Sequence, residues 1–250
     1  MNFRRTLSVL AVASLIPALA SAQALPDGKE LIAKHQAAMG GREAMDKHTS
    51  LHMTGTFSMP AMGIDGAMHM YRAKPSFFLQ QITLGSFGEM TSGFDGTTAW
   101  SINPMAGASV MTGEQGAQMK QQADFFSDYP DLSKYSAIET VSAEDFEGRK
   151  CYKVKLVRAD DKSEAFQYFD AETGLAAGMT RTMDNPQMGK IEITVVMSDY
   201  KDQGGVKLPG KITQRTPQGD VVLTFTSVDW DKVDMKIFDL PDAVKSMVKP

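Results

Sequence analysis

The sequence predicts a mainly antiparallel β protein of the α+β class, with one curled sheet and a few helices over its concave face. Short runs with a two-residue apolar period fill most of the chain after position 50. Turns such as Asp95-Gly96 separate these runs, and tight turns join antiparallel neighbours. Ten or more strands with one apolar face cannot stay flat, because strand twist accumulates and the sheet curls.

Composition excludes several classes of protein. The 250 residues are 42% hydrophobic and 22% charged, which is typical of a folded globular chain. The formal net charge is −4, and no cluster of Lys and Arg forms the basic surface that nucleic-acid binding requires. Cys151 is the single cysteine, so no intramolecular disulfide forms, and we expect it to be an ordinary strand residue.

Residues 1–22 have the pattern of a cleaved secretory signal peptide. A short basic start is followed by an apolar run over Leu7–Ala20 and by the small residues Ala20-Ser21-Ala22. We predict cleavage after Ala22 and an exported mature chain, residues 23–250. That chain should form a single domain, because no Pro- or Ser-rich linker divides it. The apolar run is too short for a comfortable membrane span, so we expect no integral membrane segment in the mature chain.

Two segments have helical rather than strand periodicity. Asp27 and Glu30 fit a capping pattern at the start of an amphipathic helix that ends at Gly40. A second helix is predicted over 114–126, between strand runs, and a short apolar segment over 243–248 closes the chain. An apolar sheet face must be covered, so we expect these helices to lie over it.

The apolar side of the early strands, together with the second helix, supplies the residues that we expect to line a ligand cavity. Alternation and helical spacing assign them, and a core filled by the same side chains has the same periodicity. The predicted cavity residues are Phe57, Met59, Met68, Met70, Phe78, Ile82, Met90, Trp100, Met119 and Phe126.

Methionine and histidine are concentrated between positions 52 and 70. Thioethers suit Cu(I), so a copper site formed by Met59, Met68 and Met70 is one alternative function. Alternation places His52 and His69 on the opposite face, and flexible methionines also suit a cavity for lipid tails. We therefore predict no metal site and no cofactor.

Catalytic motifs are absent from the sequence, and two partial matches are incomplete. Gly205 to Lys211 nearly matches a phosphate-binding loop, but Ile212 occupies the position of the required Ser or Thr. Asp229, Asp231 and Asp234 lack the glycine turn and bidentate Glu of a calcium loop. We predict that the protein is not an enzyme.

Several short motifs resemble the hairpins of LolA-like outer-membrane lipoprotein-sorting proteins. They are Phe94-Asp95-Gly96-Thr97-Thr98-Ala99-Trp100, Tyr168-Phe169-Asp170 with Thr173-Gly174-Leu175, Ser198-Asp199-Tyr200-Lys201, Gly205-Val206-Lys207-Leu208-Pro209 and Phe238-Asp239-Leu240-Pro241. The resemblance implies an incomplete β-barrel of about eleven strands, with helices over a hydrophobic cavity, and a location in the periplasm.

The same resemblance implies a function in transport. It predicts a carrier for a hydrophobic ligand, either lipoprotein acyl chains or lipid, in lipoprotein sorting or envelope lipid handling. An envelope protein would then be the acceptor of the ligand. A module of the same fold that senses envelope stress or assists assembly is the other alternative.

Overall fold

One large antiparallel sheet forms most of the molecule. The computed structural model describes residues 24–185 and 189–248, so the predicted signal peptide lies outside the described residues. The strands are β1 (Ser50–Met59), β2 (Ile64–Ala73), β3 (Phe77–Thr83), β4 (Glu89–Phe94), β5 (Ala99–Asn103), β6 (Gly107–Met111), β7 (Tyr135–Phe146), β8 (Arg149–Arg158), β9 (Glu164–Asp170), β10 (Ala176–Asn185), β11 (Gly189–Ser198), β12 (Lys201–Asp202), β13 (Lys207–Leu208), β14 (Lys211–Thr216) and β15 (Gly219–Trp230). The helices are α1 (Gly28–Ala38), α2 (Arg42–Asp46), α3 (Gly113–Ala123) and α4 (Asp242–Lys245).

The sheet has thirteen strands in the order β6-β5-β4-β3-β2-β1-β15-β14-β11-β10-β9-β8-β7. Strands β6 and β7 are its two edges, so the sheet is open, and β12 and β13 form a separate ribbon. We call β1–β6 the N-terminal half and β7–β11 with β14 the C-terminal half, with β15 between them. The predicted fold class is confirmed, with thirteen strands in the main sheet where about eleven were expected.

Helix α1 forms where the capping pattern predicts it. The Asp27 side chain accepts hydrogen bonds from the backbone N–H groups of Lys29 and Glu30, which satisfies donors that a helix start leaves unpaired. Leu31 and Ile32 then pack against Val154 of β8 and Phe169 of β9. The helix therefore covers the part of the sheet next to the β7 edge.

The chain passes from one edge of the sheet to the other through α3 and the residues after it. We call residues 112–134, which join β6 to β7, the crossover. The helix predicted over 114–126 ends earlier, at Ala123, because Asp124 leaves the helical conformation and its side chain accepts a hydrogen bond from Phe126 N. Phe125 N donates to Pro75 O beside β3, and the Phe125 ring is fully buried.

The two faces of the sheet bury different clusters. Phe78 of β3 points to the concave face, where the largest cluster also contains Met119 of α3. Leu79, the next residue, points to the convex face and packs with Phe238 and with Val244 of α4. Helix α4 thus lies on the convex face and is not part of the concave cover.

Candidate functional site

Nine of the ten residues predicted to line a cavity lie together on the concave face. They differ in how far the neighbouring elements cover them. Phe57, Met68, Met70, Phe78, Ile82 and Met119 are buried in the concave cluster, and Met59, Met90 and Phe126 are half-buried against it. The sequence therefore predicts which residues meet, and their role in binding a ligand stays a prediction.

Trp100 does not join the other nine residues. Ala99 belongs to the concave cluster, and Trp100, the next residue of β5, packs with Leu79 and Phe238 on the convex face. The placement predicted for Trp100 is wrong. Both residues are apolar, so alternation alone could not decide which of the two points inward.

The N-terminal half of the concave face is filled by side chains. Met68 is fully buried and Phe78 is only 1% exposed. Met119, Ala123 and Phe125 of the crossover pack against these side chains. Met45 of α2 and Met39, which precedes α2, belong to the same cluster. Protein interiors of this kind have packing densities close to those of organic crystals, so this half is a core while the crossover is in place.

Two cavities open elsewhere on the described surface, and neither contains a predicted cavity residue. The larger, about 330 Å³, lies next to Phe238 and α4, where Phe77, Asp95 and Lys245 line it. The second, about 220 Å³, lies on the convex face beside His52 and Tyr71. Among the described residues, the side chains of the N-terminal half that were predicted to line a cavity are instead packed against one another and against the crossover.

Polar contacts hold the crossover over the concave face. Arg72 of β2 is 14% exposed, and its guanidinium donates to Gln122 O at 2.9 Å, Ser127 Oγ at 3.0 Å and Asp128 Oδ2 at 3.3 Å. Nearby, Lys74 Nζ donates to Asp46 O and Asp46 Oδ1, both at 2.8 Å, and so holds the end of α2. The three Arg72 bonds are directional, so a modest shift of the crossover breaks them together.

The concave face of β10, β11, β14 and β15 is covered less. Paired residues of neighbouring strands point to the same side of the sheet. Pairs such as Arg181–Ile193 and Ile212–Leu223 therefore show which side chains of β10, β11, β14 and β15 share the concave face. Most apolar side chains along it are half-exposed, although Ile193 is only 5% exposed, and we call this surface the open trough. Its apolar members are Met179, Met183, Ile191, Val195, Met197, Ile212, Val221 and Leu223. Gln118 of α3 reaches its border, with Nε2 4.0 Å from Met183 Sδ.

Sequence reasoning missed the open trough, although a signal for it exists. Met179, Arg181 and Met183 alternate along β10 as Met68 and Met70 do along β2, and the same period continues through β11. The Nε atom of Arg181 is buried without a hydrogen-bond partner. Burial lowers the pKa of Arg181, and the nearby charge of Glu114 opposes that shift. The trough therefore combines an apolar floor with one cationic group.

The alternative copper site is not assembled. Met59 pairs with Ile64, whereas Met68 pairs with Gly55, four residues farther along β1. At about 3.3 Å per residue these positions are about 13 Å apart, too far for thioethers to share one ion. Among the described residues, no group of three or more His, Cys, Asp or Glu side chains could hold a metal ion.

The partial motifs are explained by local structure. Gly210 N donates to Asp199 O and leads into β14, so this segment pairs with a strand and starts no helix for a phosphate. Burial would raise the pKa of Asp231, but hydrogen bonds from Thr49 N and His48 Nδ1 outweigh that effect and lower the pKa to about 2. Asp231 therefore holds the start of β1 through these bonds.

The two buried groups that could suggest catalysis are structural. His35 Nδ1 accepts a hydrogen bond from Ala176 N at 3.1 Å, and burial lowers its pKa to about 4, so the ring stays neutral. Burial raises the pKa of the Cys151 thiol, which disfavours the reactive thiolate. The sequence prediction that Cys151 is an ordinary strand residue is confirmed by its place in β8.

Comparison with solved structures identifies the fold. A putative outer membrane lipoprotein-sorting protein domain from Vibrio parahaemolyticus superposes with a TM-score of 0.58 at 10% identity, over 85% of this chain and 97% of that one. A DUF1329 family protein from Desulfovibrio piger gives 0.60 at 11% identity, over 86% and 98%. A LolA superfamily protein from Nitrosomonas europaea gives 0.55 at 10% identity, over 86% and 99%.

The chain thus has the LolA-like fold, an open curled sheet with helices on its concave side. This confirms the resemblance found in the sequence at the level of the fold. No protein-family model matches the sequence, and no curated protein matches it. Among the described residues, no helix has the length and apolar character needed to cross a membrane.

Proposed function

We propose that this chain is a periplasmic binding protein that carries a hydrophobic ligand along the concave face of its sheet. The ligand class is an acyl chain, either of a lipid or of a lipoprotein, in lipoprotein sorting or envelope lipid handling. The observation that carries the proposal is the open trough, an apolar surface that, among the described residues, continues from the filled core and is more exposed to solvent than that core.

The energetics of such a ligand match the surface. Burial of one methylene group contributes about 0.8 kcal/mol, so an acyl chain with ten buried methylenes gains about 8 kcal/mol before ordering costs. Nine methionines in and around the concave cluster, among them Met53, Met111 and Met119, supply flexible side chains that adapt to a flexible tail. The process needs no bond chemistry.

Movement of the crossover would extend the binding surface into the N-terminal half. The crossover is tied at Arg72 by three polar contacts and inserts Phe125 and Met119 into the core. An acyl chain that enters from the trough can take the place of those side chains, so the apolar surface that they cover stays shielded from water. The predicted signal peptide and the fold shared with a lipoprotein-sorting domain support a place in the envelope.

A fluorescent fatty-acid titration of the purified chain tests this proposal. Met183→Glu places a charge in the trough, and we expect about tenfold weaker binding of the probe. Thr182→Glu is the matched control, because Thr182 is the preceding residue of β10 and is exposed on the opposite face. Both variants should keep the unfolding midpoint of the unmodified chain.

Lipid extraction and mass spectrometry of the same preparation provide the second readout, with lipid expected to co-purify. The proposal fails if no lipid is recovered and the probe does not bind, or if the two glutamate variants bind the probe equally. Exported protein should begin at residue 23, which the intact mass of the chain reports.

A further inference from the structure

The turns at the two ends of the N-terminal half differ in the side chains that they expose to solvent. Antiparallel order brings the β1–β2, β3–β4 and β5–β6 turns to one end of the N-terminal half. Each of these turns exposes one large apolar side chain: Met62 is 61% exposed, Phe87 is 67% exposed and Met105 is 92% exposed. We call these three side chains the apolar rim.

The turns that carry the apolar rim contain no charged residue. Residues 60–63, 84–88 and 103–107 are all uncharged, as are residues 216–219 in the adjacent β14–β15 turn. The turns at the opposite end of the same strands contain Lys74 and Asp95. Exposed apolar side chains on neighbouring uncharged turns are not the usual composition of a solvated loop.

The apolar rim continues directly into the concave cluster. Met59, Ile64, Leu84 and Met90 flank the first two turns, and all four are half-buried against that cluster. Neighbouring strands are about 4.8 Å apart, so successive tips lie about 10 Å apart and the rim spans about 20 Å. An acyl chain leaving the concave face at this end would pass the rim first.

From these observations we propose that the apolar rim is a docking surface for a neutral phospholipid bilayer. The three side chains project from separate turns, and a fluid bilayer accepts such separated insertions without the shape complementarity that a protein partner requires. Asp65 and Glu89 are exposed at the strand starts beside the rim, which disfavours an anionic lipid surface. This inference rests on the proposed function for its biological role, since it assigns the membrane at which the ligand is exchanged.

Flotation of the purified full chain with phosphatidylcholine vesicles tests the docking surface. The triple variant Met62→Ser, Phe87→Ser and Met105→Ser should bind about tenfold more weakly, because each side chain loses apolar contact with the acyl region. The control variant Val141→Ser, Met235→Ser and Met247→Ser removes three exposed apolar side chains elsewhere and should bind as the unmodified chain does. High salt should leave binding unchanged, since no ion pairs are involved.

Three outcomes would overturn the docking surface. The first is that the unmodified chain does not float with neutral vesicles. The second is that the rim variant floats as well as its control. The third is that binding requires anionic lipid and disappears in high salt. In the first case, capture of an envelope protein by the rim would identify a protein partner instead.

Fatty-acid titration separates this failure from failure of the proposed function. The rim variant should bind the fatty-acid probe as tightly as the unmodified chain, because the open trough is untouched. If the unmodified chain floats with vesicles but binds no probe, the docking proposal stands and the carrier proposal fails. If it binds the probe but does not float, only the docking proposal fails. All six positions are exposed, so equal unfolding midpoints for the three proteins verify that folding is preserved.

Discussion

The N-terminal half of the concave face and the open trough carry the same apolar alternation but are covered to different degrees. In the N-terminal half, Met68 and Phe78 lie beneath the crossover and are fully or almost fully buried. In the open trough, Met183 and Leu223 occupy equivalent inward positions and remain half-exposed. Alternation therefore specifies the inward face, whereas the path of the crossover decides whether that face becomes a core or a binding surface.

Truncation of one large side chain in each half gives the largest expected difference. Phe78→Ala should lower the free energy of unfolding by about 3–5 kcal/mol, because it leaves a cavity in a closely packed core. Leu223→Ala in the trough should cost about 1 kcal/mol, since solvent already reaches that side chain. Urea unfolding measures both values, and similar losses would show that the trough is packed as a core.

The cover of the C-terminal half near the β7 edge should depend on pH through His35 of α1. Burial lowers the pKa of His35 from 6.5 to about 4, so the unfolded chain binds more protons than the folded chain between these values. Stability from this group is complete above pH 6.5 and falls by about 3 kcal/mol as the pH drops to 4.

His35→Gln removes the titrating group and offers Ala176 N an amide oxygen in place of Nδ1. Urea unfolding from pH 7 to 4 should therefore show a shallower loss of stability for His35→Gln than for the unmodified chain. Equal slopes for the two proteins would mean that the ring does not stay neutral in the fold.

Release of the crossover should change the N-terminal half more than the C-terminal half. Arg72→Met removes the bonds to Gln122 O, Ser127 Oγ and Asp128, at an expected cost of about 2 kcal/mol. Backbone amides of residues 113–134 should then exchange hydrogen faster. Arg215→Met, which removes a surface ion pair with Glu147, is the control and should cost about 0.5 kcal/mol. Unchanged exchange in the crossover would show that apolar packing alone holds it.

Local chemistry made much of the fold predictable from the sequence. Asp27 caps α1 as expected, because capping depends on residues within one turn of the helix. Strand alternation likewise placed nine of the ten cavity residues on one face. Trp100 was misplaced because its position depends on partners distant in sequence, Phe238 among them. The open trough was missed for the same reason, since only the route from β6 to β7 leaves it uncovered.

The open edge at β7 bears on whether copies of the molecule aggregate. An edge strand twelve residues long, with no strand paired to its outer side, is a template on which further strands can assemble into aggregates. Here the pairing of β7 with β8 is interrupted near Tyr135 and again near Thr140, and Glu139 and Glu144 are exposed along the strand. The irregular backbone and the like charges of approaching copies oppose such assembly, so the sheet can remain unclosed without becoming a seed for fibrils.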